Sequence, residues 1–267
     1  MSFKLGFIGC GNMASAIING AVSSQFLNGG DICVFDVDSA KCKALSEKLG
    51  VNICTSAEET VKNSDVTVLA VKPQVFPAVL PQIKEELTKS GSALVSIGAG
   101  KTLRYIGSFL NSGTPVVRVM PNINAKVGEA MSAVCGNESA DESLLKFVKG
   151  LCGSFGEVVT LPEEQFPLFG VIAGCSPAFS FMYIDALARA AVKNGMNKQT
   201  ALKISAQAVL GSAKTVLEDN SHPWELIDSV CSPGGTTIEG VASLEKDCFD
   251  AAVMNAVEAS LDKDKKL

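Results

Sequence analysis

Two glycine-marked segments hold the residues whose types and spacing suit chemistry. The first is Gly9-Cys10-Gly11-Asn12-Met13-Ala14, which follows the apolar run Leu5-Gly6-Phe7-Ile8 and leads into the helical pattern of Ala16, Ile17, Ile18 and Ala21. A strand, a Gly-x-Gly-x-x-Ala turn and a helix start together form the layout that holds a dinucleotide pyrophosphate. Gly9 permits the sharp turn, and Gly11 lets the backbone approach the phosphates without a Cβ in the way. Ala14 replaces the third glycine and still allows close helix–strand packing. The phosphates would meet main-chain N–H groups at Asn12 and Met13 and the positive end of the helix dipole. Such turns also occur as plain βα loops; the flanking patterns favour the cofactor.

The second segment is Ser232-Pro233-Gly234-Gly235-Thr236-Thr237-Ile238-Glu239. Its glycines expose N–H groups just before a helix, and two threonines add hydroxyls. That is a nest for a small carboxylate at Ser232, Gly234, Gly235, Thr236 and Thr237. Thr236 and Glu239 also fit a capping box. The single histidine, His222, precedes Pro223-Trp224 and is assigned to the start of a helix rather than to acid catalysis. There is no nucleophile elbow and no Cys/His spacing suited to a metal, so no metal ligands are expected.

Further candidates end core strands. Asp36 closes the second strand, where an acidic side chain bonds the adenosine ribose; its charge would repel a 2′-phosphate and leans the cofactor towards NADH. Asp38 competes for that role, and Lys41 would offset the charge if NADPH is used. Ala70-Val71-Lys72-Pro73 lies where the nicotinamide ribose would sit, and Lys72, a candidate catalytic residue, suits the cofactor or an anionic substrate; the alternative is a lysine snorkelling past a strand end. In Gly98-Ala99-Gly100, close approach by a ligand or by a packed helix is equally in keeping. Pro121-Asn122 suits a backbone turn under the nicotinamide ring or simply a turn.

The elements that must position these groups follow from hydrophobic period. Ile32–Phe35, Val66–Val71, Ala93–Ile97, Val116–Met120 and Ala130–Cys135 read as strands, and helical patterns over Ser39–Leu49 and around Val79, Ile83 and Leu87 lie between them. Thr55-Ser56-Ala57-Glu58 has the form of a capping box before a helix, and Ser139-Ala140-Asp141-Glu142 that of a helix start. Strands apolar on both faces and joined by helices predict a parallel sheet. Beyond Leu161-Pro162 only helices are expected: Phe166–Asn194 as one long helix or a broken pair, then Asn197–Glu218, Pro223–Val230, Thr236–Leu244 and Asp247–Leu261. The fold class is therefore α/β, a Rossmann-type domain over 1–161 followed by an all-helical domain over 162–267. Its long helices are too apolar for a monomer's surface, notably at Phe179, Phe181, Met182, Ile184 and Leu187, which predicts a subunit interface.

Composition narrows the function classes. A net charge of −5 argues against nucleic acid as partner, and the basic end Lys263–Lys266 reads as solvated chain. Nine scattered cysteines without a Cys-x-x-Cys pair read as reduced thiols, which with a first strand beginning almost at once predicts a cytoplasmic protein without a signal peptide. No uncharged stretch of about 20 apolar residues is expected, hence no membrane span.

Taken together, Gly6–Ala14, Ala70–Pro73, Arg118-Val119-Met120-Pro121-Asn122, His222-Pro223 and above all Ser232–Thr237 resemble the pyrroline-5-carboxylate reductase family. Asp185-Ala186-Leu187-Ala188 and Leu244-Glu245 also fit, so the resemblance spans nearly the whole chain. It implies an NAD(P)H-dependent reduction of the C=N bond of 1-pyrroline-5-carboxylate to L-proline, the last step of proline biosynthesis. It also implies a helical domain that intertwines with a second subunit, in dimers that assemble further, commonly to decamers. By position, the substrate-carboxylate contacts fall on Ser232, Gly235, Thr236 and Thr237, with Thr237 meeting the ring nitrogen. Two segments depart from the family pattern: Cys175-Ser176-Pro177-Ala178 replaces Ser-Gly-Pro-Ala, and Pro121-Asn122-Ile123-Asn124 replaces Pro-Asn-Thr-Pro. The alternatives are another two-domain Rossmann reductase, such as a β-hydroxyacid dehydrogenase, and a dinucleotide sensor without turnover.

Overall fold

A computed structural model of the chain describes residues 4–265. Lys266, at the basic end, lies outside them. The chain forms two compact units, Met1–Gly174 and Cys175–Leu267.

The first unit alternates strands and helices: β1 (Leu5–Ile8), α1 (Asn12–Ser23), β2 (Ile32–Phe35), α2 (Ser39–Leu49), β3 (Asn52–Ile53), α3 (Ala57–Lys62), β4 (Val66–Leu69), α4 (Phe76–Ser90) and β5 (Ala93–Ser96). It continues with α5 (Leu103–Gly107), β6 (Val116–Met120), β7 (Ala130–Gly136), α6 (Glu142–Gly153), β8 (Gly156–Thr160) and the short α7 (Phe166–Phe169). The sheet order is β3-β2-β1-β4-β5-β6-β7-β8. Alternate strand residues serve opposite faces: Leu5, Phe7, Val66, Val68 and Val95 enter one core with α1, α2 and α6, while Ile8, Leu69, Leu94 and Val116 enter another with α3 and α4. Each such large apolar side chain stabilises by about 1.5–3 kcal/mol when fully buried.

The structure corrects the expected sheet in two respects. β7 runs antiparallel to β6, with Val119 opposite Val134, so the sheet is not wholly parallel. The connection, residues 121–129, holds only a short 3₁₀ turn, whereas a parallel crossover needs about a dozen residues or more. β3, β8 and α5 were also not expected: β3 has two exposed residues, and β8 is an edge strand with no fully buried position. The cap of α3 sits one residue later than the expected box, with Ser56 Oγ accepting from Glu59 N–H and Glu59 reaching back to Thr55.

The second unit is helical throughout: α8 (Ser176–Lys193), α9 (Lys198–Glu218), α10 (Pro223–Val230), α11 (Thr236–Lys246) and α12 (Phe249–Asp264). α8 packs on α9 and α11 on α12. A π-helical stretch, Gly170–Cys175, separates α7 from α8, so the long apolar helix is the broken one. One expectation fails here. The helical stretch Glu163–Lys193 is long and apolar enough to cross a membrane by length and composition, because Phe166 to Ile184 carries no charge; its interspersed Gly, Ser and Pro disguise the run.

Candidate functional site

The turn between β1 and α1 lies where the strand order reverses, since β1 pairs with both β2 and β4. Open α/β sheets bind their ligands outside the carboxyl ends of strands at such a point. Gly9 has φ +103°, and a Cβ there would stand 2.7 Å from the Ala70 carbonyl oxygen, so only glycine fits beside β4. Its N–H donates to the Phe35 carbonyl at 2.7 Å. Gly11 differs: its φ is −73° and a Cβ would meet no protein atom within 4 Å. The protein's own packing does not require glycine at that position, whereas a ligand approaching the helix end would. Gly11 is also the N-cap of α1, with no side-chain cap and no acidic residue in the first turn. The N–H groups of this turn, with exposed Asn12 and half-buried Met13, therefore fit a dinucleotide pyrophosphate. Ala14 is buried in the core, in line with its packing role.

Asp36 sits at the end of β2 with its side chain 12% exposed. One carboxylate oxygen accepts from Cys10 N–H at 2.7 Å, and the other from Asp38 N–H at 2.9 Å. The bond to Cys10 ties the acidic side chain to the glycine turn, a feature that the spacing alone did not reveal. Asp38 caps α2 by accepting from Ala40 N–H. Ala70 and Val71 follow β4 half-buried, and Lys72 and Pro73 begin the next turn; Lys72 is exposed and has no ion pair among the described residues.

At the end of β5, the two explanations for glycine separate. A Cβ on Gly98 would clash with the Phe76 ring of α4, so this glycine serves helix packing, whereas Gly100 has φ +71° and open space around it. Ala99 between them is exposed. After β6, Asn122 is buried and both polar ends of its side chain are hydrogen-bonded. Nδ2 donates to the Ala173 carbonyl at 2.9 Å, and Oδ1 accepts from Asn124 and Met131 N–H groups. Asn122 anchors the π-helical stretch, a type of distortion often found at functional sites. Arg118 of β6, buried, pairs with Glu163 at 2.9 Å and lies over the Phe166 ring. A charge inside an apolar strand was the available sign of this staple.

In the second unit, Gly234 has φ +65°, and Gly235 N–H bonds the Ser232 carbonyl at 2.9 Å. A Cβ on Gly235 would clash with Ser232 Oγ. Gly235, not Thr236, is the N-cap of α11, and no side chain caps it; the Thr236–Glu239 capping box is not formed. The helix start therefore presents uncapped N–H groups beside the exposed residues Ser232, Thr236 and Thr237, an arrangement able to accept a small carboxylate. His222 caps α10, its Nδ1 accepting from Trp224 N–H at 3.2 Å while Glu225 completes the box. No group of three or more His, Cys, Asp or Glu residues suits a metal among the described residues.

A glycine turn at the switch point of this sheet, followed by a helical unit, defines a dinucleotide-dependent oxidoreductase of the Rossmann type. Family comparisons agree. The family model for pyrroline-5-carboxylate reductase dimerisation matches residues 163–267, and that for coenzyme F420-dependent NADP oxidoreductase matches residues 4–100. The chain is 42% identical over 268 residues to the pyrroline-5-carboxylate reductase of Escherichia coli K12, covering 100% of this chain and 99% of that protein. The solved pyrroline-5-carboxylate reductase of Coxiella burnetii superposes with a TM-score of 0.95 at 30% identity, covering 100% and 98% of the two chains. That of Plasmodium falciparum, with NADP bound, gives 0.86 at 32% identity over 99% and 97%. The chain belongs to the pyrroline-5-carboxylate reductase family.

Proposed function

We propose that this protein is an NAD(P)H-dependent reductase that converts 1-pyrroline-5-carboxylate to L-proline. The observation that carries this reading is the full-length relationship to proteins of that activity, which extends across both units. Residues 1–161 form the dinucleotide domain and 162–267 the dimerisation domain, a division supported by the dimerisation model beginning at residue 163, while by packing the stretch up to Gly174 stays with the sheet unit.

Reduced nicotinamide supplies the hydride that reduces the C=N carbon. Gly9, Gly11, Asn12 and Met13 would hold the pyrophosphate. Asp36 would meet the adenosine ribose and favour NADH. Ala70, Val71, Lys72, Pro73, Ala99 and the Asn122 backbone would line the nicotinamide end. The helix start at Ser232, Gly234, Gly235 and Thr236 anchors the substrate carboxylate, and Thr237 orients the ring nitrogen. Lys72 adds positive charge for an anionic partner. A cyclic imine is basic, and its iminium form accepts a hydride without a strong acid, so the reaction needs positioning more than proton transfer. This accords with His222 being committed to a helix cap.

The chain self-associates through its helical unit. We propose a dimer in which a second copy covers the apolar side chains of α8 and α9, with a decamer built of five such dimers as the larger form. That reading assigns the apolar stretch Glu163–Lys193 to a subunit contact rather than to a bilayer. Its support is the dimerisation match over the same residues. Nucleic acid is not a partner of a chain with net charge −5. Nine unpaired thiols support a cytoplasmic setting.

Following NADH and NADPH absorbance with 1-pyrroline-5-carboxylate and, separately, with short oxo acids tests the reading. Turnover with the imine alone supports it; turnover with oxo acids alone, or binding of cofactor with no turnover, contradicts it.

A further inference from the structure

The loop between β2 and α2 holds two carboxylates, Asp36 and Asp38, and the first turn of α2 brings the cation Lys41 beside them. Lys41 Nζ lies 3.5 Å from Asp38 Oδ2 and 4.0 Å from Asp36 Oδ1. The two acids differ in what else they do. Asp36 is nearly buried and spends both oxygens on main-chain N–H groups, one of them in the glycine turn. Asp38 is about half exposed, as is Lys41. A dinucleotide held at the β1 turn brings its adenosine ribose to the end of β2, where a cation accommodates a 2′-phosphate and a carboxylate takes the free hydroxyl.

We propose that Asp38 determines cofactor choice by acting through Lys41: it occupies the ammonium that also reaches Asp36 at the end of β2. The inference rests on the dinucleotide reading of the glycine turn. Asp36 then both holds the turn in shape and leans the site towards NADH, and Asp38 strengthens that lean one step further out. The three side chains sum to a single negative charge, so a 2′-phosphate approaching them is repelled. Without the Asp38 charge the sum is zero. Lys41 then keeps only its 4.0 Å contact to Asp36, too long to hold a flexible side chain in one place. Asn at position 38 still caps α2, because its side-chain oxygen accepts the same Ala40 N–H as well as a carboxylate does.

The test is a binding measurement on the assembled protein: nicotinamide fluorescence titrations of NADH and NADPH for the wild type, Asp38→Asn, Lys41→Ala and the double variant, with a thermal melt of each. Asp38→Asn is expected to tighten NADPH about tenfold and to leave NADH within about twofold. Lys41→Ala alone is expected to weaken NADPH binding further, since it takes the summed charge from −1 to −2. The double variant is expected to lose the gain. Asp38→Ser, another good N-cap, should repeat the Asn result and separates charge from helix capping. Three results overturn the proposal: no gain in Asp38→Asn, a gain that survives in the double variant, or tighter NADPH binding in Lys41→Ala alone. If the folded wild type binds neither dinucleotide, the parent reading of the glycine turn fails, and the proposal with it.

Discussion

The two units use apolar residues in opposite ways. The sheet unit buries Phe7, Phe76, Phe155 and Phe166 completely, together with most of its aliphatic strand residues. The helical unit buries almost nothing within one chain: α8 hides only Pro177 and Ala188, α9 only Ala201 and Ser205, and α10 to α12 have no buried residue. Its exposed large side chains include Phe181, Met182, Leu187, Leu210, Leu217 and Met254. One unit is complete as a single chain; the other leaves its core to be finished by a second copy. The proposed carboxylate site at Ser232–Thr237 belongs to the unit that depends on assembly, so on that reading substrate binding should be sensitive to assembly and dinucleotide binding should not.

Breaking assembly is the harshest test of that contrast. Phe181→Asp puts one charge per copy into the proposed contact, at a cost of about 3–5 kcal/mol for each uncompensated buried charge. The expected outcome is a monomer by sedimentation that still binds NADH but has lost turnover. A variant that remains assembled and active would remove α8 from the interface.

A paired glycine experiment sharpens the other side. Gly9→Ala should lower stability by about 2 kcal/mol or more and abolish dinucleotide binding, because φ is positive and the Ala70 carbonyl stands in the way. Gly11→Ala should melt within a few degrees of the wild type, an N-cap change costing about 1 kcal/mol or less, yet bind NADH about tenfold more weakly. Equal stability losses in both variants would mean that Gly11 serves packing and not a ligand.

How much of this was legible in the sequence depends on whether a feature is local. Gly9 and Gly11 announce themselves because a tight turn and a close approach demand glycine wherever they occur. The core strands β1, β4, β5 and β6 are legible because both faces are apolar. The direction of β7 is not written in its own residues; only the shortness of the 121–129 connection encodes it. The tie from Asn122 to Ala173 spans 51 residues, and the clamp from Asp36 to Cys10 spans 26; neither follows from local pattern. At α11 a Thr-x-x-Glu spacing fits a capping box, but Gly235 already occupies the cap position. The same error of one residue at α3 shows that spacing finds a helix start more readily than it identifies the capping residue.

Smaller effects follow. Thr237→Ala should weaken substrate binding and lower turnover, about tenfold together, while NADH titrations stay unchanged. Unchanged kinetics would take Thr237 out of the site. The sheet unit should also lose stability in alkali. Burial pushes the Cys152 thiol up to about 12, and burial followed by the nearby Glu163 charge pushes Cys135 up to about 11. In the unfolded chain these thiols ionise near pH 9, so above that value the unfolded state binds fewer protons and stability falls, by at most about 1.4 kcal/mol per thiol per pH unit, until the folded values are reached. Urea midpoints that decline between about pH 9 and 11, and decline less in Cys152→Val, are the expected result; a flat profile contradicts it.

The central claim is that the carboxylate of a small imino acid is held at the start of α11. A crystal structure of the assembled protein with NADH and L-proline tests it most directly. The account predicts the proline carboxylate on the N–H groups and hydroxyls of Gly235, Thr236 and Thr237. Proline bound elsewhere, with this helix start vacant, would contradict it.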